Sequence, residues 1–343
     1  MNYPESLLLL TRATALVLGA RGCISLFAHW MVQSPNTYPT MFVPKARVRL
    51  GFSSKFLANF PVRFVAVGSH PARVRYRIVE PADFHLQTAS TNWLQHGKKH
   101  YGFTFHADIP GQANEWTPAP RGTVVLLHGY RVGMFAMAPW ALRLSKEGWR
   151  CVLVDLRGHG KSTGRRIYFG LQETYDLIEL LNQLELDGQL AWPVAVIGKC
   201  YGAALALRWK TVDPRVGEVV AITPYAELEN LVLNLRDDYA PWVPRTLIRF
   251  GLKQLPSILD VAPNELDITT LLARKPVPAL FVAGAEDQVT TIADVSRLEQ
   301  LAAPESQLII VPNATHEAVT YFFDDLVPPV LAWLNRASRS NSD

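Results

Sequence analysis

The hydrophobic and polar positions follow three different patterns along the chain. Within residues 7–32, Leu9, Ala13, Leu16, Val17, Ala20, Ile24, Phe27, Ala28 and Met31 recur at helical spacing. Thr11, Thr14, Arg21, Gly22, Ser25 and His29 fall on the opposite side. This predicts an amphipathic helix, not an all-round apolar one; a good span would carry about 20 unbroken apolar residues. Such a helix packs on the main domain, on a second subunit or in a membrane interface as a peripheral contact, or forms a poor span. Glu5, Arg12 and Arg21 count against a signal peptide. Residues 33–55 are rich in Pro, Ser, Thr and Asn and read as a linker. Residues 1–55 are thus expected to form a helix and linker ahead of a main domain at 56–343.

The second pattern is alternation. Arg63–Val67 and Arg73–Val79, separated by Gly68-Ser69-His70-Pro71, predict a β-hairpin. Arg73, Arg75 and Arg77 share one face, which is expected to be solvated. Residues 82–120 contain one expected strand near Tyr101–Phe105 and otherwise read as loops. The third pattern begins after Pro120. Val124–Leu127, Cys151–Asp155, Val194–Ile197, Val219–Thr223, Ala279–Ala283 and Gln307–Val311 are short and almost wholly apolar. Strands of that kind are covered on both faces, as in a parallel sheet. Helical segments at Met137–Glu147, Leu171–Leu184 and Ala203–Thr211 lie between them. The alternation predicts an α/β fold with a doubly wound, mostly parallel sheet. The connection after Thr223 is too long for one crossover. It holds helical segments at Leu228–Arg236 and Arg245–Leu255, and predicts a cap inserted at about 226–275.

Composition narrows this picture. The chain has 343 residues, 49% hydrophobic and 19% charged, with a formal charge of +4. It has ample apolar content for a core, which excludes a disordered polymer. The small charge, with no basic helix, gives no reason to expect nucleic acid. No Cys/His cluster has metal-ligand spacing, so neither metal nor cofactor is expected. Three cysteines, Cys23, Cys151 and Cys200, are too few for a disulfide scaffold.

The chemistry concentrates at Ile197-Gly198-Lys199-Cys200-Tyr201-Gly202-Ala203. An apolar strand runs into Gly-x-Cys-x-Gly and then into a small-residue helix. A sharp strand-to-helix turn strains the middle residue and crowds the positions two away. Gly198 and Gly202 supply the room. The turn presents the Cys200 sulfur at a helix N-terminus, whose partial positive charge favours thiolate. Lys199 is expected to point to solvent. Cys151, inside its strand, reads as a small buried hydrophobe.

With its flanking motifs, the chain resembles the α/β-hydrolase family over roughly Arg121 to Asn335. The motifs are Leu126-Leu127-His128-Gly129-Tyr130, Asp155-Leu156-Arg157-Gly158-His159-Gly160-Lys161-Ser162, the Cys200 turn, and the pair Gly284-Ala285-Glu286-Asp287 and Asn313-Ala314-Thr315-His316. Tyr168–Leu177 and Thr223-Pro224-Tyr225-Ala226 are similar to esterase and lysophospholipase-like members. The resemblance implies Cys200 as nucleophile, His316 as base and Asp287 as the carboxylate that orients it, with Glu286 competing. It implies an oxyanion hole from the backbone N–H groups of Tyr130 and Tyr201, supported by Gly198 and Gly202. His128 and His159 are expected to be structural.

Most members carry serine where this chain has Cys200. A thiolate is both nucleophile and leaving group, which suits activated acyl substrates. The resemblance therefore implies an ester or thioester hydrolase acting on a small, hydrophobic acyl substrate. The alternatives are an acyltransferase with the same residues and a non-catalytic binding protein. A thiol nucleophile fits a reducing compartment, so the expected location is cytoplasmic, with membrane association through residues 7–32 as an option.

Overall fold

The computed structural model describes residues 22, 24–37, 47–51, 54–68, 70–108 and 119–336. Most of the amphipathic stretch at 7–32, including Cys23, lies outside them. Its described end, residues 24–31, is helical and is labelled α1. Ala28, Met31 and Val32 are buried, while Leu26 and Trp30 face out. No helix among the described residues is long and apolar enough to cross a membrane.

The main sheet has eight strands. They are β2 (Arg63–Val67), β3 (Ala72–Val79), β6 (Thr123–Leu127), β7 (Arg150–Asp155), β8 (Val194–Lys199), β9 (Val216–Ile222), β10 (Leu280–Gly284) and β11 (Gln307–Val311). Their spatial order is β11-β10-β9-β8-β6-β7-β3-β2. The six strands after Pro120 pair in parallel, and β3 joins β7 antiparallel, with β2 antiparallel beyond it. The central strands are apolar because both faces are covered; every residue of β6 is buried. One covering layer contains α3 (Leu171–Leu186), α4 (Tyr201–Val212), α8 (Ile268–Arg274) and α9 (Ile292–Leu301). The other contains α2 (Ala138–Lys146) and α10 (Phe323–Leu334). This is an α/β-hydrolase fold.

Between β9 and α8 lie α5 (Leu228–Tyr239), α6 (Arg245–Leu252) and α7 (Leu255–Leu259). Helix α6 packs on α1 at Gly251, where a Cβ would come within 2.7 Å of the Phe27 ring. The chain following α1 is stitched to the loop after β7. There Ser34 Oγ donates to Gly158 O at 2.6 Å, and the Ile167 amide donates to Val32 O at 2.9 Å.

Three departures from the sequence reading have physical reasons. First, residues 82–120 hold a long antiparallel hairpin, β4 (His85–Gln95) with β5 (Lys98–Asp108), where mostly loops were expected. Strand β4 is almost entirely exposed, so it carries no apolar alternation to reveal it. With β1 (Val48–Gly51), inside the expected linker, it forms a second sheet. That sheet buries Tyr101, Phe103 and Phe105 against Tyr321, Phe322 and Phe323. Second, the Arg73–Arg75–Arg77 face is not wholly solvated. Arg77 is buried and donates to the carbonyls of Leu57 and Phe60, and Arg75 pairs with Asp155 at 3.3 Å. Third, Lys199 turns inward, as described below.

Candidate active site

The six parallel strands point their carboxyl ends the same way, and the candidate residues sit on the loops that leave them. Strand β8 ends at Lys199 and α4 begins at Tyr201, leaving Cys200 alone to make the turn. Its backbone is at φ 50° and ψ −108°. A non-glycine residue rarely holds such a conformation, which costs on the order of 1–3 kcal/mol and persists where its surroundings enforce it. The enforcement is visible: the Cys200 amide donates to Ile222 O at 2.8 Å, and its carbonyl accepts from the Ala203 and Ala204 amides. A side chain on Gly198 would collide with the Gly202 carbonyl. One on Gly202 would lie 2.5 Å from Leu127 O and 2.6 Å from His128 O. The two glycines are therefore required by close backbone approach, as the motif implied.

Strand β10 delivers the acid loop. Asp287 is 3% exposed. Its Oδ1 accepts from the amides of Val289 and Thr290, each at 2.8 Å, and its Oδ2 accepts from Thr290 Oγ1 at 2.9 Å. Strand β11 delivers the other loop. His316 Nδ1 lies 2.8 Å from Asp287 Oδ2, and the Cys200 side chain is close enough to His316 to favour its charged form. Three separate loops thus bring Cys200, His316 and Asp287 together. Glu286 is turned away and pairs with Lys99 of β5.

The electrostatics follow from this arrangement. Burial disfavours the charged form of His316, but Asp287 and Cys200 outweigh burial and push its pKa up to about 10. Burial would likewise raise Asp287, yet His316 and the Thr290 and Val289 amides hold it below the usual carboxylate range. The imidazole is therefore held ready to carry a proton, with a carboxylate fixed behind it. His128 and His159 behave differently. Burial lowers them to about 4 and about 3, so both are neutral at neutral pH. His128 Nε2 accepts from the Leu156 amide at 3.0 Å and holds its loop, the structural role expected.

Gly129 brings the loop after β6 against the nucleophile position, its Cβ site 3.7 Å from Cys200 Cβ. Tyr130 follows it directly. Tyr201 opens α4, where an amide has no intrahelical acceptor. Both residues named for the oxyanion hole therefore flank Cys200 in the chain or in space. The rings of Tyr130 and Tyr201 pack together with His159.

Two contributors escaped the sequence reading. Thr290 binds Asp287 through both its amide and its hydroxyl; an Asp followed three residues later by Thr is a local side-chain-to-backbone signal that could have pointed to it. Lys199, expected in solvent, instead sends Nζ to Glu317 O at 3.2 Å, one residue past His316.

Comparison with known proteins agrees with the fold. The family model described as serine aminopeptidase, S33, matches residues 118–271, a range that holds Cys200 and stops short of Asp287 and His316. An uncharacterized protein of Bacillus subtilis is 23% identical over 204 residues, covering 58% of this chain and 66% of its own length. A monoacylglycerol lipase of Mycolicibacterium smegmatis is 30% identical over 129 residues, covering 37% of this chain and 44% of its own. The chain thus spans less than two thirds of either relative. The solved structure of a Pyrococcus furiosus esterase superposes with a TM-score of 0.58 at 20% identity, covering 86% of this chain and 99% of the esterase. The chain thus has the α/β-hydrolase fold that its motifs implied.

Proposed function

We propose that the protein hydrolyses ester or thioester bonds through Cys200, His316 and Asp287, by way of a covalent acyl-enzyme. The observation that carries this reading is the convergence of Cys200 and the hydrogen-bonded His316–Asp287 pair at a turn held in strained geometry. The esterase and lipase among the similar proteins support the choice of an acyl bond.

In the first half-reaction the Cys200 thiol gives its proton to His316, and the sulfur attacks the acyl carbon, forming the C–S bond. Negative charge moves to the carbonyl oxygen, where the Tyr130 and Tyr201 amides receive it. Each such donor is typically worth about 10²–10³ in rate. The C–O or C–S bond to the leaving group then breaks, and His316 returns the proton to it. In the second half-reaction His316 takes a proton from water, whose oxygen attacks the thioester carbon. Cys200 departs as thiolate and recovers the proton, releasing the free acid. Asp287 keeps His316 oriented and stabilises its imidazolium throughout.

The test is a panel of p-nitrophenyl esters and acyl thioesters against wild type and Cys200→Ala, with intact-mass detection of the acyl-enzyme. The expected result is a mass increase equal to the acyl group in wild type, and turnover lower by at least about 10³-fold in the variant. Full activity in Cys200→Ala would overturn the assignment.

A further inference from the structure

We propose that Lys199 is a positioning residue for the nucleophile, its ammonium linking the Cys200 turn to the His316 loop and favouring the thiolate. The inference rests on the reading of Cys200 as nucleophile, and it concerns the residue immediately before it. The position is set by the backbone. Lys199 is the last residue of β8, paired with Ile222 of β9, and the next residue makes the turn. Its stem runs beside the loop after β6, with Cδ 3.8 Å from the Cβ site of Gly129. Its Nζ ends on the backbone carbonyl of Glu317. The side chain therefore crosses from the residue before the nucleophile to the residue after the base, and touches the candidate oxyanion loop on the way.

Burial lowers the pKa of Lys199, and three acidic groups oppose that: Glu317 from the β11 loop, Cys200 from the turn and Asp287 from the β10 loop. The other cation beside Cys200 is His316, from the same β11 loop as Glu317. Glu317 Oε1 is buried with no hydrogen-bond partner among the described residues, so it contributes charge without a direct ion pair. A cation held at this point has two physical effects. It fixes the distance between the two loops that must meet at sulfur and imidazole. It also stabilises negative charge on Cys200, which depends on nearby positive charge far more than a serine hydroxyl does.

The experiment is the pH dependence of Cys200 alkylation by iodoacetamide in the full chain, which needs no substrate turnover. Lys199→Met keeps the length of the side chain and removes the charge. Its alkylation midpoint is expected to rise by about one pH unit, and its rate at pH 6 to fall about tenfold. Lys199→Arg is expected to restore the wild-type midpoint. Thermal midpoints are recorded alongside, because Lys199→Met leaves the buried Glu317 without its neighbouring cation, which costs stability. A folded Lys199→Met protein with an unchanged alkylation midpoint overturns the proposal, whatever its Tm. If Lys199→Met does not fold, Lys199→Gln is held to the same criterion. A shifted midpoint in a protein that turns over no ester would leave this inference standing and sink the proposed function alone.

Discussion

Two buried cysteines in neighbouring parts of one sheet have opposite surroundings. Cys151 is fully buried within β7, and Cys200 is 7% exposed at the end of β8. Cys151 has ordinary strand geometry and a weak contact from Sγ to Trp149 O at 3.8 Å. Burial pushes its thiol up to about 12, and a hydrogen bond with Ser145 offsets that only in part. Cys200 has a left-handed backbone, a helix N-terminus behind it, a lysine before it and a buried imidazole against its sulfur. Burial is common to both and therefore decides nothing. What separates an inert thiol from a candidate nucleophile is the strained turn together with the base that two other loops bring to it.

The largest effect is expected from removing what holds the base. Asp287→Asn leaves the size of the side chain unchanged but withdraws the carboxylate that orients His316. Activity on the best ester found is expected to fall by about 10³–10⁴-fold, with a near-normal circular dichroism spectrum. A loss of less than tenfold would mean that the His316 ring needs no orienting group. Next in size is the turn itself. Gly202→Ala places a methyl against Leu127 O and His128 O, and overpacking of this kind costs about 1–3 kcal/mol. Chemical denaturation should show the loss, and alkylation of Cys200 should slow in the fraction that stays folded.

The electrostatic half of the comparison has a pH signature. The folded pKa of His316 is raised from 6.5 to about 10. A raised folded pKa means that the stabilisation from the His316–Asp287 pair is fully present below pH 6.5 and is lost as the pH climbs towards the folded value. In a Cys200→Ala background the thiol no longer titrates, which moves the upper end of that window down. There the Tm gap between His316 and His316→Gln proteins should be widest near pH 6 and narrow steadily above it. A gap independent of pH from 6 to 10 would show that His316 is neutral in the folded protein. Asp287 adds the mirror contribution: its lowered pKa stabilises above the usual carboxylate value, and that stabilisation disappears in acid.

The same contrast explains what could be read from the chain in advance. The central strands were legible because burial on both faces leaves an unbroken apolar run, as in Thr123–Leu127. The turn was legible because two glycines are forced by backbone contacts with the residues around them. Strand β4 was not, since its side chains lie mostly in water and its pairing with β5 rests on backbone hydrogen bonds, which any sequence can make. Nor was the bracing role of β5 legible, where Tyr101 donates to the Asn313 carbonyl and Lys99 pairs with Glu286. Both contacts join positions about 190 or more residues apart, and no local pattern encodes them. The direction of Lys199 was hidden for a related reason. Alternation along β8 fixes the face from which it leaves, but its destination depends on where the β11 loop returns.

The smallest expected effect sharpens the comparison most, because it is a prediction of near silence. Cys151→Ala removes one buried sulfur from a closely packed strand. The cost is that of a small cavity, about 1 kcal/mol, since the lost volume is a single atom. Its sulfur makes only weak contacts, to Trp149 O and Ser145, and lies in the layer with Trp149 and Leu153 on the face opposite Cys200. Ester turnover and the pH midpoint of Cys200 alkylation should therefore both be unchanged. Wild-type protein treated with iodoacetamide before denaturation should carry label at Cys200 and none at Cys151, as read by peptide mass. Label at Cys151 at a comparable rate would show that the strand opens readily and that burial does not hold its thiol inert. An altered alkylation midpoint for Cys200 in Cys151→Ala would show that the two sites communicate through the sheet, and the sharp separation drawn between them would fail.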